Sequence, residues 1–264
     1  MIMKEALRYL AGVAGPSGYG SNSTAEQVTQ DCSFLRPPHH PLTAIVTGAT
    51  SGIGAETARV LAKRGVRVVV PARDLKKGAQ LKEMIQKESP EAKIVLLEMD
   101  LGSFASIKRF CSDFLSLNLP LNILINNAGK LSNKLEFSED KFEMTFATNY
   151  LGHFLLTELL LEKMVETAAQ TGIQGRIVNV SSVGHRSVDR DDFNFNQMLQ
   201  PKKYNGNRAY TQSKLANILH ARRANVTINA VHPGIVKTGI IEGHKSFITG
   251  TQCLFISFSE LVPT

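Results

Sequence analysis

The sequence contains no tryptophan and only three cysteines, Cys32, Cys111 and Cys253. These cysteines lie far apart and form no Cys-x2-Cys pair, which argues against a disulfide scaffold and against a paired-cysteine zinc site. The seven histidines show no spacing typical of metal ligands. We therefore predict a reduced intracellular protein without a structural metal.

Long hydrophobic runs are also missing. The most apolar segment, residues 154–165, is interrupted by Thr157, Glu158, Glu162 and Lys163. A helix that crosses a bilayer needs about 20 predominantly apolar residues, so this segment is too short and too polar to span a membrane.

Dense runs of one charge are absent as well, although the formal net charge is +7. Lysine and arginine are scattered along the chain, with no run of five or more. A nucleic-acid partner is therefore not expected, whereas a mildly basic face suits a phosphorylated small ligand.

The 264 residues are enough for one large α/β domain with a substantial core. From residue 42 onward, short apolar strand patterns alternate with helical patterns, which predicts an α/β fold: a single doubly wound parallel sheet (a Rossmann fold) with helices on both faces. Near-continuous apolar strands such as 68–70 and 123–125 are typical of strands buried on both faces. The predicted strands cover 44–47, 67–70, 93–98, 122–126, 176–180 and 227–231, and the predicted helices cover 54–64, 75–88, 103–115, 141–169 and 208–223.

Residues 1–41 are predicted to be an N-terminal arm and linker, because they contain a Gly/Ser-rich stretch followed by prolines. Residues 42–245 form the predicted dinucleotide-binding domain, and residues 246–264 a divergent C-terminal tail. We expect the arm either to move freely or to lie over the domain.

A glycine-rich turn follows the first predicted strand. Residues 47–54 read Thr-Gly-Ala-Thr-Ser-Gly-Ile-Gly and precede a helical pattern. In this context glycines bind a dinucleotide, because bare backbone and a helix N-terminus can approach its pyrophosphate. The predicted cofactor contacts from this turn are Gly48, Thr50, Ser51, Gly52, Ile53 and Gly54.

The end of the second strand indicates which dinucleotide binds. A site that selects the unphosphorylated ribose usually places a carboxylate there, but this strand ends in Pro71-Ala72 and the first carboxylate is Asp74. Arg73 is placed to pair with a 2′-phosphate, so we favour NADP over NAD.

Ligands of such sheets lie beyond the carboxyl ends of the strands, so the residues that follow the next strands are candidates. Asp100 could bond an adenine amino group beside Leu101, or it could cap the next helix, for which Ser103 is the better candidate. After the fourth strand, Asn126 and its neighbours are expected to cross-link strand ends and leave room for cofactor. That second group of cofactor contacts consists of Asn127, Ala128 and Gly129.

Three further residues form a candidate catalytic group. Tyr210 and Lys214 are four positions apart and share a helix face, and Ser182 follows the fifth strand. A nearby ammonium favours a phenolate, so Lys214 is predicted to lower the pKa of Tyr210 and make it a general acid or base. Asn149 lies amid apolar residues of a predicted helix, where it could distort the helix and hold a water through its backbone.

After the sixth strand, residues 232–238 are expected to wall the nicotinamide. Pro233 and Gly234 supply backbone groups, and Thr238 offers a hydroxyl to the carboxamide.

These motifs, taken in order, resemble the short-chain dehydrogenase/reductase family over about residues 42–245. The segments 181–186 and 210–217 resemble its retinol-dehydrogenase-like branch. Residues 15–18 and 23–29, in the N-terminal arm, are similar to plant members, including those of the chloroplast inner-envelope translocon. The resemblance implies a seven-stranded Rossmann sheet and hydride transfer between nicotinamide C4 and a carbinol or carbonyl carbon, and we expect a cytoplasmic or chloroplast-associated location. It also implies that Tyr210 donates or accepts the proton, Lys214 holds the nicotinamide ribose, Ser182 (less so Ser181) orients the substrate oxygen, and Asn149 supports a water that relays protons to Lys214.

Two departures from the family accompany this resemblance. The interval from Lys214 to Pro233 is nineteen residues, about two helical turns shorter than in relatives. The chain also stops at Thr264, where relatives continue, so we expect the last strand to be missing, as in a splice variant or an incomplete gene model.

The leading functional hypothesis is an NADP-dependent oxidoreductase acting on a small apolar alcohol or carbonyl. Phe193, Phe195, Met198, Leu199 and Tyr204 hint at an apolar ligand, but they could equally pack under a long loop. The alternative is a weakly active or inactive dinucleotide-binding protein that senses redox state at a membrane translocon. Peripheral membrane contact and a homodimer, weakened by the shortened helix, stay open.

Overall fold

The computed structural model describes residues 13, 18–20, 22–30, 41–188, 199, 202, 204–220, 227–233 and 255–257. The strands are β1 (Thr43–Val46), β2 (Arg67–Ala72), β3 (Ile94–Glu98), β4 (Ile123–Asn126), β5 (Arg176–Val180), β6 (Thr227–Pro233) and β7 (Phe255–Ser257). They form one sheet in the order β3-β2-β1-β4-β5-β6-β7, and the first six are parallel. The strand order reverses between β1 and β4, where such sheets bind ligands.

Helices cover both faces of this sheet, as the alternating pattern predicts. A π-helical turn (Ala147–Leu151) and a 3₁₀ turn (Val183–Ser187) complete the described helical structure. The α-helices are α1 (Ala25–Gln30), α2 (Gly52–Lys63), α3 (Leu75–Glu88), α4 (Phe104–Ser116), α5 (Met144–Phe146), α6 (Gly152–Thr171) and α7 (Gly206–His220).

The core consists of two hydrophobic layers, one on each face of the sheet. Alternate strand residues point to opposite faces, so Val46 and Val68 pack in one layer while Ile45 and Val69 pack in the other. Burial on both faces explains why these strands are apolar without interruption.

The helix predicted over 141–169 is interrupted in the structure. It consists of α5, the π-helical turn and α6. Asn149 lies inside the π turn, in accord with the distortion expected from a buried amide. The helix predicted over 208–223 is observed as α7, and residues 221–226 lie outside the described part of the chain.

The edge of the sheet beyond β6 differs from the expectation that the last strand is missing. A short strand, β7, pairs there with β6 in the antiparallel direction, with Val231 opposite Ser257 and Pro233 opposite Phe255. The six-stranded parallel part agrees with the prediction, and three residues of the apolar C-terminal segment occupy the seventh position.

The described part of the predicted arm lies over the domain. Glu26 of α1 forms ion pairs with Arg59 at 2.8 Å and Lys63 at 3.0 Å, both on α2. Arg64 donates hydrogen bonds to the carbonyl oxygen of Glu26 and to the hydroxyl of Thr29. No residue of α1 is buried, so polar contacts hold this helix in place. Most of the arm and of the C-terminal tail lies outside the described residues.

Candidate active site

A cleft of about 890 Å³ opens at the carboxyl ends of the parallel strands. Its walls come from the turns that follow β1 to β5, from the end of β6 and from α7. The cleft is lined by most of the predicted site residues: Gly48, Thr50, Ser51, Gly52, Ile53, Arg73, Asp100, Leu101, Asn127, Ala128, Gly129, Ser182, Tyr210, Lys214 and Pro233.

The glycine turn brings α2 and the turn after β4 unusually close together. Gly48 has a φ of +64°, and a Cβ at this position would lie 2.7 Å from Cα of Ala128. A Cβ on Gly54 would lie 2.4 Å from the carbonyl oxygen of Gly48 and 2.5 Å from Nδ2 of Asn127. Gly54, one of the predicted cofactor contacts, is buried and is not among the residues that line the cleft. Its lack of a side chain allows α2 to begin directly against the turn.

Thr47 connects this turn to the turn after β4, a role that the sequence analysis missed. Its Oγ1 accepts hydrogen bonds from the backbone amides of Asn127 at 2.9 Å and Ala128 at 3.0 Å. Asn127 Nδ2 donates in return to the Thr47 carbonyl oxygen at 2.9 Å. A hydroxyl residue at the end of a buried strand, directly before glycines, was the available signal.

Asn126 cross-links two strand ends, as predicted for this motif. Its Nδ2 donates to Oδ1 of Asn179 on β5 at 2.8 Å and to Oγ1 of Thr157 on α6 at 3.1 Å. These bonds hold the ends of β4 and β5 in register beneath the cleft.

The two candidate ribose ligands after β2 have different environments. The Asp74 carboxylate caps α3, accepting hydrogen bonds from the backbone amides of Lys76 and Lys77. Arg73 is exposed and lines the cleft. Of these two residues, Arg73 is therefore the one whose side chain is available to bind a ribose substituent.

After β3, the helix cap and the cleft residue are also distinct. Ser103 caps α4 by accepting a hydrogen bond from the amide of Ser106. Asp100 lines the cleft, and its Oδ1 accepts from the amide of Gly102 at 2.8 Å. The capping role considered for Asp100 therefore belongs to Ser103.

Asn149 is fully buried in the π turn and supports the cleft from behind. Its Oδ1 accepts from the Lys130 amide at 2.8 Å, and its Nδ2 donates to the Lys130 carbonyl and to Oγ of Ser213, both at 3.0 Å. Its own carbonyl oxygen accepts from Nδ1 of His153 at 3.1 Å. Asn149 therefore joins the loop after β4 to α7, the helix of Tyr210.

His153 is a buried residue whose two ring nitrogens both have hydrogen-bond partners. Because a carbonyl can only accept, Nδ1 carries the ring proton, and Nε2 accepts from the Thr47 hydroxyl at 2.8 Å. Burial lowers the pKa of His153 to about 3, so the imidazole is neutral.

The two consecutive serines after β5 point to different partners. Ser181 is buried and its Oγ donates to the carbonyl oxygen of Lys214 at 2.7 Å. Both serines line the cleft, and the side chain of Ser182 hydrogen-bonds that of Tyr210. The hydroxyl of Ser181 is thus bonded to α7 backbone, whereas that of Ser182 is bonded to the Tyr210 side chain.

Tyr210 and Lys214 share one face of α7, as their spacing predicts. The Lys214 ammonium lies 5.6 Å from the centroid of the Tyr210 ring and donates to the Val180 carbonyl oxygen at 2.7 Å. Burial lowers the pKa of Lys214 to about 8.

The predicted lowering of the Tyr210 pKa by Lys214 is wrong for this structure. Burial raises the pKa of Tyr210, and the hydrogen bond with Ser182 opposes that rise. Lys214 has little effect because its ammonium lies over the ring face and bonds Val180, and because burial favours its neutral form.

The cleft wall also includes the start of the segment 232–238. His232 lines the cleft and accepts a hydrogen bond at Nδ1 from the Val183 amide at 3.3 Å. Further lining residues without an assigned role are Lys130, Leu131, Thr148, Val183, Gly184, Arg186, Ser187, Asn207 and Thr211. Gly234 and Thr238 lie outside the described residues, as do Phe193, Phe195 and Met198, which were considered for an apolar ligand.

Within the described ranges, no cluster of three His, Cys, Asp or Glu side chains could hold a metal ion. No helix in the same ranges is long and apolar enough to cross a membrane.

Comparison with known proteins places these motifs in a family. The family model described as short chain dehydrogenase matches residues 42–189. The chain is 48% identical over 240 residues to the chloroplastic short-chain dehydrogenase TIC 32 B of Brassica napus, covering 88% of this chain and 73% of that protein. It is 42% identical over 221 residues to human retinol dehydrogenase 11, covering 81% and 67%.

Solved structures show the same fold. A single-substitution variant of actinorhodin polyketide ketoreductase, solved with NADPH, aligns with a TM-score of 0.59 at 26% identity. The alignment covers 80% of this chain and 77% of that one. A doubly wound sheet, a glycine turn after β1 and a family model that matches more than half of the chain lead to one conclusion. This chain belongs to the short-chain dehydrogenase/reductase family of oxidoreductases.

Proposed function

We propose that this protein is an NADP-dependent oxidoreductase that transfers a hydride between nicotinamide C4 and the reacting carbon of an alcohol or carbonyl substrate. The observation that carries the proposal is that Ser182, Tyr210 and Lys214 line the same cleft as the glycine turn. Proton transfer and cofactor binding can therefore take place at one site.

The cleft fits a dinucleotide. Its volume of about 890 Å³ lies within the range of cofactor pockets. Gly48 and Gly52 present backbone without side chains at the start of α2, where amide groups and the helix dipole favour phosphate. Asp100 and Leu101 are then placed for the adenine, and Asn127, Ala128 and Gly129 for the neighbouring ribose and phosphates.

Arg73 supports a preference for NADP. It is the exposed cation on the cleft wall after β2, whereas Asp74 is committed to capping α3. A guanidinium can hold a 2′-phosphate with charge-assisted hydrogen bonds, and no carboxylate at this strand end is left to hold a 2′-hydroxyl.

In the proposed reaction, a reduced nicotinamide, when bound, supplies the hydride for carbonyl reduction. Tyr210 donates the proton to the carbonyl oxygen, and its raised pKa keeps the phenol protonated near neutral pH. Ser182 orients the same oxygen through its hydroxyl. In the oxidative direction, Tyr210 takes the proton back.

Lys214 and Asn149 complete the proposed proton path. With a pKa of about 8, Lys214 exchanges protons near neutral pH and is placed to hold the nicotinamide ribose. We propose that Asn149 supports a water that leads from Lys214 toward solvent, in addition to its bonds to Lys130 and Ser213. Pro233, Gly234 and Thr238 are proposed to hold the carboxamide side of the nicotinamide.

The proposed substrate is a small apolar alcohol, aldehyde or ketone. Leu131 and Val183 line the same cleft as Ser182, and the similarity to a retinol dehydrogenase supports an apolar alcohol. The similarity to a chloroplastic relative supports a chloroplast location. Imaging of a fluorescent fusion would test that location, and a signal confined to another compartment would contradict it.

The experiment is a titration of the purified protein with NADPH and NADH, followed by an assay of aldehydes and ketones. We expect NADPH to bind more tightly, and Tyr210→Phe to lower turnover by about 10²-fold or more with little change in NADPH affinity. Tyr19→Phe is the matched control, since the hydroxyl of Tyr19 is exposed and lies in the arm.

Two results would overturn the proposal. Absence of binding of both NADPH and NADH would eliminate a dinucleotide function altogether. Binding without turnover that depends on Tyr210 would instead indicate a dinucleotide-binding protein with a redox-sensing role.

A further inference from the structure

Glu143 is a buried carboxylate at the start of α5, with 3% of its surface exposed. Its Oε2 accepts a hydrogen bond from the Phe146 amide at 2.6 Å, and its Oε1 accepts from the Thr145 amide at 2.8 Å. A buried carboxylate is costly unless it is well hydrogen-bonded. The two amides therefore fix its position tightly.

The third partner of Glu143 comes from a distant part of the chain. The hydroxyl of Tyr204 lies 2.9 Å from Glu143 Oε1 and 3.1 Å from the carbonyl oxygen of Ser132. Burial, together with the negative charge of Glu143, raises the pKa of Tyr204. The phenol therefore keeps its proton and remains a hydrogen-bond donor to these acceptors.

Tyr204 lies two residues before the start of α7, the helix that carries Tyr210 and Lys214. The first residue of that helix, Gly206, lies so close to Ser132 that a Cβ would be 2.0 Å from the Ser132 carbonyl oxygen. The segment that leads into α7 therefore packs against the loop after β4 and is hydrogen-bonded to Glu143 through Tyr204.

A second set of bonds holds α7 farther along. Asn149 Nδ2 donates to Ser213 Oγ at 3.0 Å, and Ser181 Oγ donates to the Lys214 carbonyl at 2.7 Å. A helix held at one level can tilt about that level, whereas a second attachment at its N-terminal end prevents the tilt. Tyr210 lies between these two attachments in the sequence.

We propose that Tyr204, held by Glu143, is a positioning residue for Tyr210. This inference rests on the proposed function, because it gives Tyr204 a task in the same proton transfer. The Tyr204 hydroxyl touches neither the cleft nor the proposed reacting atoms; it sets the tilt of α7 and with it the distance from the Tyr210 hydroxyl to a substrate oxygen.

The test compares Tyr204→Phe with wild type in the full chain. The variant keeps the ring, which packs against the cluster of Phe146, Ala209 and Ala216, and removes only the hydroxyl. With NADPH bound, we expect amide hydrogen exchange in the first turns of α7 to accelerate about tenfold or more. Exchange in α2 should stay unchanged, as should both regions in the control Tyr19→Phe.

Turnover provides the second measurement. We expect Tyr204→Phe to lower kcat about tenfold while NADPH affinity changes less than about twofold, since misplacement of an acid affects the chemical step. Glu143→Gln should have a similar effect, and Tyr204→Phe should add less than about twofold in that background, because the two residues act as one unit.

The outcomes separate the two proposals. Unchanged exchange in α7 would overturn the role of Tyr204 whether or not the protein turns over a substrate. Faster exchange with unchanged kcat would show a structural role only and would also overturn it. If wild type binds NADPH but reduces no carbonyl, the proposed function fails, whereas the exchange result still decides whether Tyr204 holds α7.

Discussion

The ammonium nitrogen of Lys214 donates a hydrogen bond of 2.7 Å to the carbonyl oxygen of Val180, the last residue of β5. This bond ties α7 to the sheet at the floor of the cleft. The side chain of Lys214 is buried in this position, and its burial lowers the pKa from 10.5 to about 8. The folded protein thus holds a cation in a place that favours the neutral amine.

Replacement of that cation should stabilise the protein and inactivate it. Between pH 8 and 10.5 the unfolded chain binds more protons than the folded one, so burial of Lys214 lowers stability at pH 7. After allowance for the lost hydrogen bond, we expect Lys214→Met to raise the free energy of unfolding by about 2 kcal/mol at pH 7. Urea titrations should show this gain shrink as the pH approaches 10.5, while turnover is lost.

A Lys214→Met variant that is less stable than wild type at pH 7 would contradict this expectation. Lys108→Met serves as the control, because Lys108 is exposed on α4. It should change neither the stability by more than about 0.5 kcal/mol nor the turnover.

Arg73 should determine the choice between NADPH and NADH. We expect Arg73→Ala to weaken NADPH binding about 10- to 100-fold, since hydrogen bonds to a charged group contribute roughly 1.5–3 kcal/mol. NADH binding should stay nearly constant, because it lacks the 2′-phosphate. Fluorescence titrations of both cofactors measure the ratio, with Arg109→Ala on α4 as the control. Equal losses for NADPH and NADH would contradict the role given to Arg73.

His153 should make the fold sensitive to acid. Its pKa falls from 6.5 to about 3 because the ring is fully buried. Below pH 6.5 the unfolded chain binds a proton at His153, whereas the folded chain binds it only near pH 3. The free energy of unfolding therefore falls as the pH drops from 6.5 toward 3. Between pH 7.5 and 5, this residue alone should account for about 2 kcal/mol.

The measurement is the free energy of unfolding of wild type and His153→Gln at several pH values. The glutamine offers a donor and an acceptor in place of the imidazole but does not titrate. We expect its stability to fall less steeply toward pH 5, even if the variant is less stable at pH 7.5. If the free energy of unfolding fell equally steeply with pH in both proteins, the assignment of this acid sensitivity to His153 would be refuted.

The attachment of α1 should depend on salt. The contacts of Glu26 with Arg59 and Lys63 are partly exposed, and α1 buries no residue. At about 1 M salt the Debye length falls to about 3 Å, so these contacts weaken. We expect hydrogen exchange in residues 25–30 to accelerate on addition of salt and in Glu26→Gln.

Glu56→Gln is the matched control for this prediction. It removes another carboxylate that pairs with Arg59 at 2.8 Å, but one that lies on α2 itself. Exchange in residues 25–30 should change less than in Glu26→Gln. If salt had no effect on exchange in α1, polar docking of the arm would be disproved.

Much of the fold was predictable because its signals are local. The run of apolar residues in β2 and the glycine turn before α2 each depend on fewer than ten consecutive residues. The predicted helix 75–88 agrees with the observed α3 at both ends, and Asp74, a residue type that favours the N-cap position, stands directly before it. Because the predicted strands are parallel, the turns that follow them were expected at the same edge of the sheet.

The interior of the site was less predictable because it depends on distant contacts. Thr47 and His153 meet although they are 106 positions apart, and no local pattern announces such a pair. The same holds for Tyr204 and Glu143, which are 61 positions apart.

The sequence by itself determined the parallel α/β architecture and the order of the motifs, because hydrophobic periodicity and glycine spacing act over a few residues. Only the tertiary structure decided that the Ser181 hydroxyl is bonded to the Lys214 carbonyl, and that the pKa of Tyr210 rises. The reason is physical: the direction of a side chain at a strand end and the desolvation of a phenol are set by packing. Neither can be read from the spacing of Tyr210 and Lys214 along the chain.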